Sequence, residues 1–243
     1  MKITIHQGHT PDLERSDVTI VIDVIRAFTV AHYAFLRGAR EIFLAATVEE
    51  AFLLQKKHPG YLLAGEINGL PIHGFEFDNS PAKMAKANVR GRTLVKKTTN
   101  GVRATLHALN AGAVFVTGFS NAKMTAECIR KLYSHDSIVN LVASHPDGDD
   151  DLACAEYIKE ILLGKEALSK EAAVKRIKGS GVARKFYDEN QPEFNVEDIE
   201  FCTKEISGDF IMFVDSSEKI PRIVRVNQHE LHRIEPAGSN RQA

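Results

Sequence analysis

Residues 18–36 read VTIVIDVIRAFTVAHYAFL, and this stretch decides the fold class. Its first part, Val18–Ile22, is an unbroken run of β-branched residues, which is typical of a strand that is buried on both faces. Residues 27–36 follow with helical character, and the order of strand and then helix recurs through about residue 165. Because strands that alternate with long helices form parallel sheets covered by helices, the sequence predicts an α/β fold, layered α/β/α, with a largely parallel sheet.

The last third of the chain has a different pattern. It begins with a charged helical segment and a glycine-rich break, and two strand candidates follow at 210–214 and 222–226. We therefore predict an α/β catalytic core over residues 1–165 and a smaller C-terminal α+β lobe over residues 166–243, packed on the core. A single continuous domain is the alternative.

Composition excludes several classes of protein. The 243 residues include 31 Lys+Arg and 32 Asp+Glu, and this balance argues against a nucleic-acid or anionic-membrane partner. No apolar run approaches the ~18–20 residues that span a bilayer, and the first residues, MKITIHQGH, lack the apolar core of a signal peptide. Three cysteines without a CxxC pair indicate neither a disulfide framework nor a zinc site, so we predict a cytoplasmic protein.

Polar residues follow five of the predicted strands at the point where each strand ends. In open α/β sheets, ligands bind just beyond the carboxyl ends of the strands, so we expect these groups to meet at one edge. The segments are Asp23–Arg26, Gly65–Glu66 with the loop that ends at Asp78–Pro81, Thr98–Gly101, Gly118–Asn121 and Asp147–Asp151.

The charged members of this set indicate metal or phosphate chemistry. Asp23 could ligate a hard cation such as Mg²⁺ or attack phosphorus, although a helix N-cap would also explain it. Glu66 is a candidate metal ligand or general base, with an ordinary loop charge as the alternative. Arg26 suits bidentate binding of phosphate or carboxylate, unless it pairs with Asp23. Asp147, Asp149, Asp150 and Asp151 would repel one another unless they are solvated or bind a cation; acidic residues at a helix start are the alternative.

The uncharged members indicate an anion site. Thr98, Thr99, Asn100 and Gly101 stand at a predicted strand-to-helix turn, where hydroxyls and free amides can bind an anion. A plain turn capped by Asn100 is the alternative, and helix capping alone would explain Ser80 beside Asn79. The glycine-rich nucleotide loops and the GxSxG elbow are absent from the sequence, which disfavours a nucleotide cofactor and a serine hydrolase.

Taken in series, these segments resemble the 2-phosphosulfolactate phosphatase (ComB) family. The matching stretches are VIDVIRAFT (21–29), GEINGLPIHGFEFDNSP (65–81), KTTNGVRA (97–104), GFSNA (118–122) and DLACA (151–155) with the acidic segment before it. The chain departs from the family at Asp78, where Gly is usual, at Val102, where Thr is usual, and at Asp150, where Glu is usual.

The resemblance implies a Mg²⁺-dependent phosphatase that acts on phosphate monoesters of 2-hydroxycarboxylic acids. The substrate it implies is 2-phospho-3-sulfolactate, a small anionic phosphorylated hydroxy acid, which gives 3-sulfolactate and phosphate on a route that leads in some organisms to coenzyme M. Two other classes stay open: a metal-dependent lyase or aldolase acting on a 2-oxo acid, and a non-catalytic protein that binds a small anion. Assembly into a homo-oligomer is also left open.

The residues and the resemblance together predict the site. We predict catalytic roles for Asp23, Arg26 and Glu66, and Mg²⁺ ligation by Asp23, Glu66, Asp150 and Asp151. The nucleophile is either Asp23, through an acyl phosphate, or a water molecule that the metal ion activates. The predicted substrate-binding residues are Asn79, Ser80, Thr98, Thr99, Asn100, Gly101, Arg103 and Asn121, with Lys97 as a further candidate for the acid groups of the substrate.

Overall fold

The computed structural model describes residues 1–165 and 167–234. Within these ranges the strands are β1 (Lys2–Gln7), β2 (Val18–Ile22), β3 (Glu41–Leu44), β4 (Leu62–Ile67), β5 (Leu70–Pro71), β6 (Thr93–Lys97), β7 (Ala113–Thr117), β8 (Ile138–Ala143), β9 (Phe210–Asp215) and β10 (Arg222–Asn227). The helices are α1 (Ala27–Leu36), α2 (Val48–Lys57), α3 (Pro81–Met84), α4 (Gly101–His107), α5 (Ala122–Leu132), α6 (Asp149–Leu163), α7 (Lys170–Gly179) and α8 (Glu197–Thr203). The predicted α/β class is confirmed.

The described strands join in a sheet of ten, in the order β1-β8-β2-β7-β9-β10-β3-β6-β4-β5. Parallel pairing unites β1, β8, β2 and β7 in one group and β3, β6 and β4 in another. Between the groups, three successive antiparallel pairings join β7 to β9, β9 to β10 and β10 to β3. The sheet is therefore largely parallel, as predicted, but the strand direction reverses along the ladder between the two groups.

The hairpin formed by β9 and β10 comes from the last third of the chain and lies in the middle of this sheet. The predicted C-terminal lobe therefore shares the sheet of the core, because both edges of the hairpin pair with strands from residues 1–165. The proposed boundary at residue 165 stays a prediction. Residues 166 and 235–243 of the predicted lobe lie outside the described part of the chain.

Strand β2 shows why helices cover both faces. All five of its residues are buried. Val18, Ile20 and Ile22 pack in a cluster with residues of α5 and α6, whereas Val21 packs in a second cluster with residues of α1 and α4. Alternate side chains of a strand point to opposite faces, so a fully apolar strand requires cover on each side. This packing fixes the end of β2, and hence Asp23, at the start of α1.

In the part of the chain that the structure describes, no helix is both long enough and apolar enough to cross a lipid bilayer.

Candidate active site

A cavity of about 370 Å³ opens beside the end of β2. This volume is in the range of small-molecule sites. Six of the predicted residues line it: Asp23, Arg26, Glu66, Asn79, Thr99 and Asn100. They come from both parallel groups of strands, so they meet across the reversal of strand direction and not along one parallel edge.

Asp23 combines a structural contact with exposure to the cavity. Its Oδ1 accepts a hydrogen bond of 2.7 Å from the amide of Ala27, in the first turn of α1. Its Oδ2 lies 3.3 Å from Oγ of Ser144, and a Cβ atom added to Gly101 would lie only 2.6 Å from that oxygen. Burial raises the pKa of Asp23, and the nearby Glu66 raises it further, while the Ala27 amide acts in the opposite direction.

Two more buried carboxylates, Asp150 and Asp151, lie at the start of α6 beside Asp23. Asp151 Oδ1 accepts a hydrogen bond of 2.7 Å from the amide of Val24, and its Oδ2 accepts bonds from Ser144 and from the amide of His145. Burial raises the pKa of Asp150 to about 7, with the charge of Asp23 adding to the effect. Burial, Asp150 and Asp23 together raise the pKa of Asp151 well above its usual range.

The donor chemistry of this acidic cluster, Asp23, Asp150 and Asp151, fits Mg²⁺. Within residues 1–165 and 167–234, no group of three or more acidic, histidine or cysteine side chains has the geometry of a complete metal-binding site. Magnesium, however, usually takes one or two protein carboxylates and keeps several water molecules. Asp150 Oδ1 is buried and has no hydrogen-bond partner among the described residues. A hard cation would satisfy that oxygen and offset the repulsion among the three carboxylates.

The carboxylate of Glu66 accepts more hydrogen bonds within the protein than the sequence suggests. Strand β4 extends to Ile67, so Glu66 lies within the strand and not after it. Its Oε1 accepts a 2.5 Å bond from the amide of Thr99, and its Oε2 accepts bonds from the amide of Gly69 and the hydroxyl of Thr99. A carboxylate offers about four acceptor sites. Glu66 therefore ties two loops together and retains little free capacity for a metal ion.

Arg26 pairs with Asp198 and not with Asp23. The guanidinium donates a 2.9 Å bond to Asp198 Oδ2 and a 3.0 Å bond to the carbonyl of Gly69. It also lies over the rings of Phe186 and Phe194, at 5.0 and 5.6 Å from their centroids. Arg26 therefore forms an ion pair, as the alternative interpretation predicts, but its partner is Asp198 in the C-terminal third and not Asp23.

Several predicted residues have structural roles next to the cavity. Ser80 caps α3: its Oγ accepts from the amide of Lys83 and donates a 2.6 Å bond to Asp198. Thr98 Oγ1 accepts from the amide of Val102 at the start of α4. Gly101 contributes close packing, since its lack of a side chain makes room for Asp23.

Asn121 and Arg103 lie away from the wall of this cavity. Asn121 is buried, accepts from the amide of Gly118 and donates to Thr125, so its contacts are local. Arg103 is exposed and lines a second cavity of about 400 Å³ together with Lys97. The two cavities share Asn68 and Thr99 in their walls.

Three residues at or beside the cavity were not predicted from the sequence: Lys96, Lys185 and Asp198. Lys96 is fully buried in β6, and its Nζ donates a 2.9 Å bond to Asn79 Oδ1. Burial lowers the pKa of Lys96 to about 8, against the opposing effect of Asp23 and Glu66. The sequence feature that could have identified Lys96 is the presence of a lysine at an inward-facing position of an otherwise apolar strand. Lys185 and Asp198 stand in no recognisable motif.

A profile of the 2-phosphosulpholactate phosphatase family matches residues 3–216. The chain belongs to this family. A probable 2-phosphosulfolactate phosphatase of Bacillus subtilis (strain 168) is 56% identical over 226 residues, which are 93% of this chain and 99% of that protein. Proteins of the same name are 36% identical in Caldicellulosiruptor saccharolyticus (63% of this chain, 66% of that protein) and 32% identical in Carboxydothermus hydrogenoformans (76% and 81%).

Membership of the 2-phosphosulpholactate phosphatase family confirms the resemblance drawn from the five sequence stretches and the prediction of a phosphoric monoester hydrolase. It also extends that resemblance into the C-terminal third, which supplies Lys185 and Asp198 to the site. Of the departures from the family pattern, Asp78 accepts from the amide of Ser80 and pairs with Lys83, so it contributes to the cap of α3. Asp150 is the departure that lies in the acidic cluster.

Proposed function

We propose that this chain is a Mg²⁺-dependent phosphatase that hydrolyses phosphate monoesters of 2-hydroxycarboxylic acids. The proposed substrate is 2-phospho-3-sulfolactate, and the products are 3-sulfolactate and phosphate. The observation that carries this proposal is the acidic cluster of Asp23, Asp150 and Asp151 beside a cavity that also presents Arg26 and Lys185. The names of the curated relatives support the identity of the substrate.

Asp23 and Asp150 are the residues that would hold Mg²⁺. Among the described residues no group donates a hydrogen bond to Asp150 Oδ1, and Asp23 lines the cavity. When bound, the ion neutralises negative charge on the non-bridging oxygens of the phosphoryl group. Asp151 holds the site in shape, because its oxygens bind the amides of Val24 and His145 and so join the end of β2 to the start of α6.

Asn79 is placed to donate to the phosphoryl group. An ammonium group has donors only, so the amide oxygen of Asn79 must face Lys96. The amide nitrogen is then left for the cavity that Asn79 lines. Lys96 therefore orients a neutral donor and places a positive charge behind it.

Asp23 serves the bond-breaking step in one of two ways. In the first, it attacks phosphorus, the ester P–O bond breaks, the leaving oxygen takes the proton of the phosphate monoanion and departs as the hydroxy acid, and water then hydrolyses the acyl phosphate. In the second, water attacks phosphorus as the ester P–O bond breaks, and Asp23 accepts the proton of the water and passes it to the leaving oxygen of the hydroxy acid. Both require ionised Asp23, and a cation next to it offsets the effect of burial on its pKa.

The variant Asp23→Asn tests this proposal. We expect release of inorganic phosphate from 2-phospho-3-sulfolactate to fall by about 10³-fold or more, because the amide can neither attack nor accept a proton. Circular dichroism should show an unchanged fold. The matched control is Asp147→Asn, since the side chain of Asp147 is 89% exposed. A mass spectrum of quenched wild-type enzyme decides whether a phosphoryl group is attached to Asp23.

Other outcomes would overturn parts of the proposal. Full turnover after exhaustive EDTA treatment would remove the role of the metal ion. A pyruvate-like product without inorganic phosphate would favour the lyase or aldolase, and tight binding without turnover would favour the anion-binding protein. We further propose that the enzyme acts in the cytoplasm, where the buried free thiols of Cys128, Cys154 and Cys202 would remain reduced.

A further inference from the structure

Part of the cavity wall is basic and aromatic. Lys185 lies in the short 3₁₀ helix Arg184–Tyr187 and lines the cavity together with Phe186. Its Nζ lies 4.3 Å from the ring centroid of Phe194 and 5.8 Å from that of Phe186. A Cβ atom added to Gly69 would lie 3.0 Å from the same nitrogen. The ammonium group is thus held between aromatic rings and the Gly69 turn, at the cavity wall.

Among the residues that the structure describes, no carboxylate lies within ion-pair distance of Lys185 Nζ, whose close neighbours are the aromatic rings. Exposed lysines nearby do have partners, for example Lys86 with Glu197. The adjacent cation, Arg26, is neutralised by Asp198. Lys185 therefore brings to the cavity wall a positive charge that forms no ion pair among the described residues. Burial and Arg26 lower its pKa, while Glu66 and Asp150 act in the opposite direction.

The acidic cluster and the basic wall suit different parts of one molecule. The acidic cluster favours a divalent cation, which in turn favours the phosphoryl group. The basic wall favours an anion that lacks a metal partner. A phosphate monoester of a 2-hydroxy acid carries such a group one or two carbon atoms away from the ester oxygen.

We propose that Lys185 is a specificity-determining residue that binds the second acidic group of the substrate, a carboxylate or a sulfonate. This inference rests on the proposed phosphatase function of the same cavity. Phe186 and Phe194 keep the ammonium group in place and limit its hydration, which strengthens its attraction for an anion. Gly69, which has no side chain, lets its turn pack close to the ammonium group.

The test compares three esters in wild type and in Lys185→Met. They are 2-phospho-3-sulfolactate, 2-phospholactate with its carboxylate alone, and glycerol 2-phosphate without a second acidic group. We expect kcat/KM for the first ester to fall about 10- to 100-fold, mainly through KM, as for the loss of a charged hydrogen bond. We expect glycerol 2-phosphate to change less than about twofold. The response of 2-phospholactate shows whether the carboxylate or the sulfonate is the bound group.

Two further variants complete the design. Lys185→Arg keeps the charge and should recover most of the kcat/KM that Lys185→Met loses. Lys204→Met removes an exposed lysine after α8 and should leave all three esters unchanged. If Lys185→Met does not fold, Lys185→Gln takes its place. An equal loss for all three esters, or no loss for any, would overturn the proposal.

A binding measurement separates this inference from the proposed function. Calorimetry with 3-sulfolactate should show weaker binding to Lys185→Met than to wild type, whether or not phosphate is released. Turnover by wild type with binding that is independent of Lys185 would refute the role of Lys185 alone. Absence of phosphate release from every ester, with binding that depends on Lys185, would refute the phosphatase function and leave the anion subsite intact.

Discussion

Asp23, Asp150 and Asp151 are buried close together, and this arrangement lowers the stability of the folded protein. Each carboxylate is costly to ionise away from water, and the charges of Asp23 and Asp150 raise the pKa of the carboxylates beside them. Hydrogen bonds from the amides of Val24 and His145 compensate Asp151, but Asp150 retains an oxygen without a partner in the described chain. Such a cluster is typical of a functional site, where local stability is lower than the sequence could achieve.

The variant Asp150→Asn should therefore stabilise the protein in the absence of metal. The pKa of Asp150 rises from 3.8 to about 7 on folding, so the folded state holds a proton that the unfolded chain has lost. The stability that this proton brings is present at low pH and is lost as pH rises through 7. At pH 8 in EDTA, the variant should gain on the order of 2 kcal/mol in the free energy of unfolding and a higher Tm.

The gain of Asp150→Asn over wild type should shrink as the pH is lowered to 5. Added Mg²⁺ should raise the Tm of wild type more than that of the variant, because a ligand stabilises only the state that binds it. Phosphate release should fall in the variant. A lower Tm for Asp150→Asn than for wild type at pH 8 in EDTA would contradict this account of the cluster.

Helix starts and tight turns, more than strand ends, bring the site together. Helices α1 and α4 meet where Gly101 packs against Asp23, and the turn after β4 is joined to residue 99 by Glu66. Helix α8 reaches the site from the C-terminal third through Asp198, whose carboxylate binds Arg26, Ser80 and the amide of Ala82. Each contact links elements that are distant in the chain.

The variant Gly101→Ala tests the packing of α1 against α4. Alanine favours a helix, but its Cβ would lie 2.6 Å from Asp23 Oδ2, so either the carboxylate or the helix must move. We expect a loss of about 1–3 kcal/mol in stability and a larger loss of phosphate release. Gly179→Ala, in α7, is the matched control because nothing lies within 4 Å of its added Cβ. Wild-type activity in Gly101→Ala would exclude the close packing described above.

The variant Asp198→Ala tests the link from α8 to the site. It leaves the buried guanidinium of Arg26 without its counter-ion and removes the acceptor of Ser80. Urea denaturation should show a loss of about 3–5 kcal/mol, as for one partner of a buried ion pair. Glu197→Ala breaks the exposed pair with Lys86 and should change stability far less. Equal effects of the two variants would show that Arg26 does not depend on Asp198.

The molecule as a whole is held together by the hairpin of β9 and β10. It lies between β7 and β3, so residues 210–227 connect two parallel groups that do not otherwise pair with each other among the described strands. The segment between α7 and α8 lines the cavity with Phe186 and places Phe194 beside Arg26. The C-terminal third is therefore part of both the sheet and the site.

A chain limited to residues 1–165 should consequently fail to fold on its own. Removing the hairpin would expose the buried edges of β7 and β3 and the apolar surfaces that Phe210 and Met212 cover. We expect weak far-ultraviolet circular dichroism, aggregation on size-exclusion chromatography and no cooperative thermal transition. Cooperative unfolding of this fragment would instead support the division into a core and a C-terminal lobe.

The amino-acid sequence alone determined those features that depend on neighbours along the chain. The β-branched run at 18–22, the helix after it and the α/β class followed from local periodicity. The prediction that Asp23, Asn79 and Asn100 share a site agrees with the cavity that all three line, but they reach it across the reversal of strand direction, which the local pattern did not indicate.

Only the tertiary structure decided features that depend on contacts distant in sequence. Arg26 finds its partner 172 residues away, and Lys185 reaches the cavity from the C-terminal third. Asn79 accepts the hydrogen bond of the buried Lys96 ammonium group. Strands β9 and β10 lie in the middle of the sheet, where they pair with the open edges of β7 and β3. Such pairings follow from the packing of the whole chain, since no local pattern records which distant group will satisfy a buried charge or an open strand edge.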